Sequence, residues 1–330
     1  MSPRAGRGRA PSDAVRWGFV GAGWIAHRAL GPAVHCADGA ILAAAAARDI
    51  ARAQSLSPVG QAYGSYEALI ADPDVDAVYI TLNNDAHLPW TLAALDAGKH
   101  VLCEKPLGLT AAEVERMAAA AEQADRMVVE AIWSRWHPRT RRAEALIATG
   151  ALGTVTSVDS GFTFPSVKAD NYRLDPTKGG GALYDLGPYA VGAALWALPE
   201  GPVEVVGSQV TRHRGGVDLT TRAELRVGAA TVSARMSVDE PAGQWVNITG
   251  EAGSLSLEPP AHTSWLEAST LSATTASGVM VLHFPPVDPY QVMVEHVSRA
   301  IRGDASAYVL PLGESTRVAR AIDAIREADA

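Results

Sequence analysis

Between Val15 and Glu130 five short apolar runs alternate with stretches of helical periodicity. Val15–Val20, Ile41–Ala47, Ala77–Thr81, the run through Val101–Cys103 and Met127–Glu130 have the length and composition of strands buried on both faces. Between them, helices are predicted at 23–37, 49–57, 65–71, 86–97 and 110–124. Gly98 suits the position just past a helix end, and Thr110 with Glu113 forms a capping box. Strands separated by helices pair in parallel through crossover connections, so this part of the chain is constrained to a doubly wound α/β sheet. Such sheets bind ligands at the carboxyl ends of their strands, and the residues there carry the next inferences.

The first strand ends in Gly21-Ala22-Gly23-Trp24-Ile25-Ala26, a G-x-G-x-x-A turn entering a helix. Gly21 permits a tight turn, Gly23 leaves room for a pyrophosphate at the helix N-terminus, and Ala26 allows close packing. Trp24 and Ile25 border the same phosphate position; the plainer alternative is a purely structural turn. The second strand ends in Ala47-Arg48-Asp49, where an adenosine ribose would lie. Arg48 there suits a 2′-phosphate and favours NADP, whereas Asp49 keeps NAD open or simply caps the next helix. The third strand leads to Asn83-Asn84-Asp85-Ala86-His87. Asn84 and His87 are candidates to touch the nicotinamide ribose or a substrate; alternatively Asp85 caps the helix and His87 sits in its first turn. Lys99–Leu107 reads KHVLCEKPL, so the fourth strand delivers an acid, a base and a rigid turn, Glu104-Lys105-Pro106, to its end. A lysine so placed can donate a proton, or orient a carbonyl or hydroxyl, beside whatever the sheet binds.

Near residue 136 the pattern changes, which divides the chain into a nucleotide-binding domain at 14–135 and a second domain at 136–330. A long strand is predicted at Thr154–Phe164, and Val217–Val227 and Ala230–Val238 alternate strictly between apolar and polar residues. Further strands fall at 203–212, 244–250, 253–258 and 279–284, with helices at 139–149, 289–302 and 314–328. Period-two strands joined by glycine-rich turns indicate an open, mostly antiparallel sheet with one covered face, an α+β domain. Its other face, rich in Thr and Arg, is expected to bury against further copies of the chain as a homodimer or homotetramer. Between the strands lie Asn171-Tyr172-Arg173 and then GGGALYDLGPY, Gly179–Tyr189. With Pro188 in the first turn of a helix, Asp185 and Tyr189 are four residues apart and face the same way. A carboxylate and a phenol converging on Lys105 form a set able to handle protons, and the ammonium is expected to lower the phenol's pKa. Trp133, Asn171 and Arg173 are lesser candidates for the substrate pocket.

Other classes are disfavoured. A net charge of −8 argues against general nucleic-acid binding, and no apolar run reaches the ~18 residues of a membrane span. Residues 1–13 carry three arginines without an apolar segment, and read as a disordered tail rather than a secretory signal. Cys36 and Cys103 sit in apolar patterns, and read as buried free thiols in a reducing cytoplasm. No Cys/His spacing suggests a metal site.

Across residues 15–328 the chain resembles the glucose–fructose oxidoreductase / inositol dehydrogenase / rhizopine-catabolism (Gfo/Idh/MocA) family. The Glu104-Lys105-Pro106 turn is the most specific mark. VEAIWSRWHP (129–138) and YRLDPTKGGGALYDLGPY (172–189) are similar to the branch with dimeric dihydrodiol dehydrogenase, D-xylose dehydrogenase and sugar ketoreductases. The resemblance implies a Rossmann domain followed by an open-sheet domain, with Lys105 as the catalytic lysine and Tyr189, four residues after Asp185, as the acid/base. The family loop that often carries Pro-Asn here reads Asn83-Asn84. The expected activity is hydride transfer between NADP(H) and a secondary alcohol or ketone of a sugar, with keto-sugar reduction favoured. Oxidation of an aldose or a trans-dihydrodiol is the alternative within the fold, and a non-catalytic NADP-binding sensor or scaffold the alternative outside it.

Overall fold

The computed structural model describes residues 13–329 apart from 57, 166 and 169, so the tail expected at 1–13 lies, but for Asp13, outside the described residues. In the first half, β1 (Val15–Val20), β2 (Ala40–Ala46), β3 (Gln61–Tyr63), β4 (Ala77–Ile80), β5 (His100–Cys103) and β6 (Val128–Glu130) form one sheet in the order β3-β2-β1-β4-β5-β6. Every pair is parallel, which is the doubly wound Rossmann arrangement. The strand order reverses between β1 and β4, so the Gly21–Gly23 turn and the 81–84 loop flank the crevice where such sheets bind dinucleotides. β3 was not anticipated. It is three residues long, and no residue of it is fully buried, so it leaves no apolar run to read.

The helix after the glycine turn is wound as a π-helix over Ala26–Leu30 before continuing as Gly31–Cys36. Pro32 has no N–H to give a regular α-helical turn, and Gly31 instead donates to the carbonyl of Ala26. A Cβ on Gly31 would stand 2.8 Å from that oxygen.

The second half contributes β7 (Val155–Thr163), β8 (Val203–Arg212), β9 (Asp218–Val227), β10 (Ala230–Ser237), β11 (Gly243–Gly250), β12 (Gly253–Leu257), β13 (Ser269–Thr275) and β14 (Gly278–Phe284). They form a sheet in the order β14-β13-β12-β11-β7-β10-β9-β8. All pairs are antiparallel except β10 with β7, which brings distant segments together in the sheet centre. β13, rich in Ser and Thr, is a further strand the sequence did not disclose, although its Leu271 and Ala273 do point into the core. The helix Ala182–Ala197 packs on the covered face, where Leu186, Ala190 and Val191 meet Val232, Ala234 and Met236.

The helix Pro289–Ile301 returns to the first sheet. Tyr290, Met293, Val294 and Val297 share a core with Trp17, Phe19, Leu30 and Val34. The Trp17 indole donates to Ser298 Oγ at 3.1 Å, across 281 residues of chain. One face of the nucleotide-binding sheet is therefore closed by the end of the chain.

Candidate active site

β5 ends at Cys103, and the chain then turns through Glu104, Lys105 and Pro106, the last two joined by a cis peptide bond. Opposite this turn lies the N-terminal end of the Ala182–Ala197 helix. The helix starts after Gly181, whose φ of +118° and whose approach to Asp218 exclude a side chain; an added Cβ would lie 2.0 Å from Asp218 Oδ1. Asp218 supplies the cap that glycine cannot, accepting from the Leu183 N–H at 2.7 Å. Pro188 thus lies inside the helix rather than in its first turn, a correction to the sequence reading. The glycine and Asp218 set the start early, at the cost of the bond Pro188 would have donated. Asp185 and Tyr189 still lie one helical turn apart, and both approach Lys105.

Lys105 Nζ donates to Asp185 Oδ1 at 2.8 Å and to the Asp185 carbonyl at 2.9 Å. Arg173 clasps the same carboxylate, Nε to Oδ2 at 2.6 Å and an NH2 group to Oδ1 at 3.1 Å. The Asn171 side chain caps the turn carrying Arg173, accepting from its N–H at 3.0 Å. Lys105 Nζ is 5.4 Å from the centre of the Tyr189 ring. An ammonium has three N–H donors; Asp185 takes two, and the third has no hydrogen-bond partner among the described residues.

Burial pushes the Asp185 carboxyl up, but Lys105 and Arg173 outweigh it and hold the group well below the usual carboxylate range. Burial likewise pulls Lys105 down, and Asp185 more than reverses this. Tyr189 behaves differently. Burial raises its phenol well above the ordinary value, and Lys105 offsets only part of that. The expected lowering is thus corrected, because desolvation of a phenolate exceeds the attraction of one ammonium already paired with a carboxylate.

Around Tyr189 stands an aromatic wall. Trp133 stacks on Tyr290 at 4.6 Å, and Phe162 lies 5.6 Å from Tyr189 and stacks on His262. Burial holds His262 down to about 3, so it is neutral. Below the turn, Glu104 accepts from the Tyr79 hydroxyl at 2.6 Å and from the Lys105 N–H at 3.3 Å. Glu130 accepts from the Leu107 N–H at 3.0 Å. Burial raises both carboxyls. Tyr79, Glu130, Phe162, His262 and Tyr290 were not foreseen. Each lies in an ordinary apolar or capping context, and only the fold brings them to the site.

Two expected contact residues have other work. His87 is fully buried, with Nδ1 2.8 Å from the Pro106 carbonyl and Nε2 3.2 Å from that of Leu82. Its ring sits between those two carbonyls and braces the Lys105-Pro106 turn. Asn84 is also buried, and its amide donates to the Gly179 carbonyl at 2.8 Å, latching the glycine loop of the second domain onto the first. Asp85 pairs with Lys178 in the same latch.

At the dinucleotide crevice Gly21 has φ +109°, and a Cβ there would lie 2.7 Å from the Thr81 carbonyl. A Cβ on Gly23 would find nothing closer than 3.9 Å, so no protein atom demands that glycine and the space suits a phosphate. Trp24 is 73% exposed beside it, and Ile25 is partly buried in the adjoining core. Arg48 is exposed at the end of β2, and Asp49 caps the next helix by accepting from Ala51 N–H. Arg52, one turn further on, reaches back to the Ala22 carbonyl at 2.9 Å. It is a second guanidinium at the crevice that the strand-end reading missed.

Residues 15–132 match the model described as "Oxidoreductase family, NAD-binding Rossmann fold", and residues 140–256 match the Gfo/Idh/MocA C-terminal domain. The chain belongs to the Gfo/Idh/MocA oxidoreductase family. D-xylose 1-dehydrogenase (NADP(+)) 2 of Haloferax volcanii is 38% identical over 95% of this chain and 97% of its own length. Trans-1,2-dihydrobenzene-1,2-diol dehydrogenase of Bos taurus is 34% identical over 75% of each chain. Among solved structures of the family, KijD10, a 3-ketoreductase from Actinomadura kijaniata in complex with NADP and TDP-benzene, superimposes with a TM-score of 0.85. It has 26% identity over 96% of this chain and 98% of that one. The aldose-aldose oxidoreductase of Caulobacter crescentus gives the same score and identity over 96% and 97%.

Proposed function

We propose that this family member is an NADP(H)-dependent oxidoreductase acting at a secondary alcohol or ketone carbon of a sugar or sugar derivative. NADP(H), when bound, supplies or accepts the hydride. Gly21, Gly23, Trp24 and Ile25 border its pyrophosphate, and Arg48 with Arg52 hold the 2′-phosphate. The observation that carries the reading is the Lys105 ammonium, fixed by Asp185 with one N–H to spare beside the Tyr189 phenol. Lys105 hydrogen-bonds the reacting oxygen and stabilises charge developing on it. Tyr189, kept protonated by burial, delivers the proton to that oxygen in reduction and receives it in oxidation. Asp185 and Arg173 orient the lysine, while Glu104 fixes the backbone of the turn. Trp133 shapes the apolar side of the pocket.

The names of the relatives support sugar and diol substrates and NADP. Initial rates with a panel of sugars, keto-sugars and trans-dihydrodiols, each with NADP(H) and NAD(H), test the reading. Turnover of a keto-sugar with NADPH is the expected result, and no turnover of any member, with NADP still bound, would leave the sensor reading.

We further propose that the second sheet joins copies of the chain as a homodimer or homotetramer. Val206 on edge strand β8 and Val279 and Val281 on edge strand β14 are exposed. Light scattering tests this, with a monomer mass overturning it. Cys103 is buried as expected, whereas Cys36, in the last turn of its helix, is exposed; both are unpaired, which supports a reducing, cytoplasmic location.

A further inference from the structure

Beyond Tyr189, the stripe of the Ala182–Ala197 helix that carries Asp185 and Tyr189 continues through Gly192, Ala193 and Trp196. Along that continuation lies a cavity of about 430 Å³. None of Lys105, Asp185 or Arg173 lines it; Tyr189, which lines it, also stands beside Lys105. Its floor is apolar, from Ile147, Leu195, Leu257 and Val318. Exposed Arg141 and Pro199 mark its mouth.

The charged lining is unbalanced. Three guanidiniums, Arg135, Arg141 and Arg317, face two carboxylates, Glu144 and Glu314. Arg135 is spent on both carboxylates, at 2.6 and 2.7 Å. Arg317 is turned onto the backbone carbonyls of Leu195, Leu198 and Gly201. Arg141 touches Glu144 with one NH group and stacks on the Tyr308 ring at 3.7 Å, with its remaining donors at the mouth. An apolar chamber of this size under an excess of positive charge suits a ligand with a short apolar body and one anionic head.

We propose that this cavity is a second ligand site, separate from the substrate cleft, for a small amphipathic monocarboxylate seated against the back of Tyr189. An effect of occupancy on turnover rests on the catalytic reading of Tyr189; binding itself does not. Gly192 lines the chamber and gives a direct handle, because an added Cβ there meets only Val318 Cγ2, at 3.9 Å.

The test is calorimetric titration of the whole protein with octanoate, with octan-1-ol and acetate as body-only and head-only probes. Octanoate should bind saturably whether or not NADP is present. Octanol, and octanoate with Arg141→Gln, should bind about tenfold more weakly, the worth of one charge-assisted hydrogen bond. Gly192→Leu should abolish binding while the thermal transition and NADP affinity persist. Absence of saturable octanoate binding, or binding untouched by Gly192→Leu, or displaced by NADP, overturns the site. Octanol as tight as octanoate, or no loss with Arg141→Gln, overturns the anionic head. None of these readouts needs turnover, so their failure is distinct from failure of the proposed activity.

Discussion

The two sides of the candidate active site respond to loss of water in opposite ways. On the charged side, the half-buried Lys105 and Arg173 close over the buried Asp185, and mutual attraction outweighs desolvation, so all three stay ionised. On the aromatic side desolvation wins: Lys105 offsets only part of it at Tyr189, and burial keeps Tyr189, His262 and Tyr290 neutral. The difference divides the labour. The ionic trio cannot readily exchange protons and acts as a fixed field. In the proposed mechanism the neutral phenol, near the ammonium, is where the proton moves.

The sharpest way to break this division is to remove one member from each side. Lys105→Ala and Tyr189→Phe should each lower kcat by about 10²–10⁴-fold with NADP affinity retained in a fluorescence titration; wild-type rates in both would dissolve the assignment. Next in size, Asp185→Ala leaves two half-buried cations without their carboxylate and should cost about 1–3 kcal/mol of stability, read from urea unfolding. Tyr189→Phe removes no charge and should unfold close to the parent, so a similar loss in both would erase the contrast.

The pH dependence follows. Asp185 has its folded pKa depressed, so its contribution to stability is present above the unfolded value of about 3.9 and is lost as pH falls. A melting-temperature series should show an acid-side decline that Asp185→Asn flattens. Tyr189 is raised, so alcohol oxidation should keep accelerating with pH up to at least the ordinary phenol value of about 10. A plateau near neutrality would identify a different base. Away from the reacting atoms the effects shrink. Arg48→Ala and Arg52→Ala should each weaken NADP by about 1–3 kcal/mol and leave NAD unchanged, with equal losses removing the 2′-phosphate assignment. Asn84→Ala, which cuts the latch to Gly179, should cost about 1 kcal/mol in thermal unfolding and still less in kcat.

What could be read in advance follows from how local each signal is. The alternation of strands and helices, the glycine turn and the Glu104-Lys105-Pro106 stop are written in contiguous residues, and the structure places them at the crevice of a parallel sheet. The Asp185–Tyr189 spacing was also readable, because helical geometry is local. The helix start was misplaced because Asp218, 33 positions beyond Asp185, supplies the cap. His87 and Asn84 look like ligand contacts only until the carbonyls of Pro106 and Gly179 are placed beside them. The protonation of Tyr189 was misjudged for a related reason. The sequence shows the attracting lysine but conceals how thoroughly Phe162, Trp133 and Tyr290 exclude water.

The helix Pro289–Ile301 carries a consequence for how the protein is made. Domains fold largely as units, N-terminal first, while the chain is still being synthesised. Here Tyr290 and Met293, which seal one face of the first sheet, are translated after every strand of both domains. The nucleotide-binding half therefore waits on the ribosome with an apolar flank uncovered, and that flank is the surface a holding chaperone would meet. Early termination shortly before Pro289 would yield both sheets complete and the first one unsealed. Such a product is expected to aggregate, however well its cofactor turn is formed.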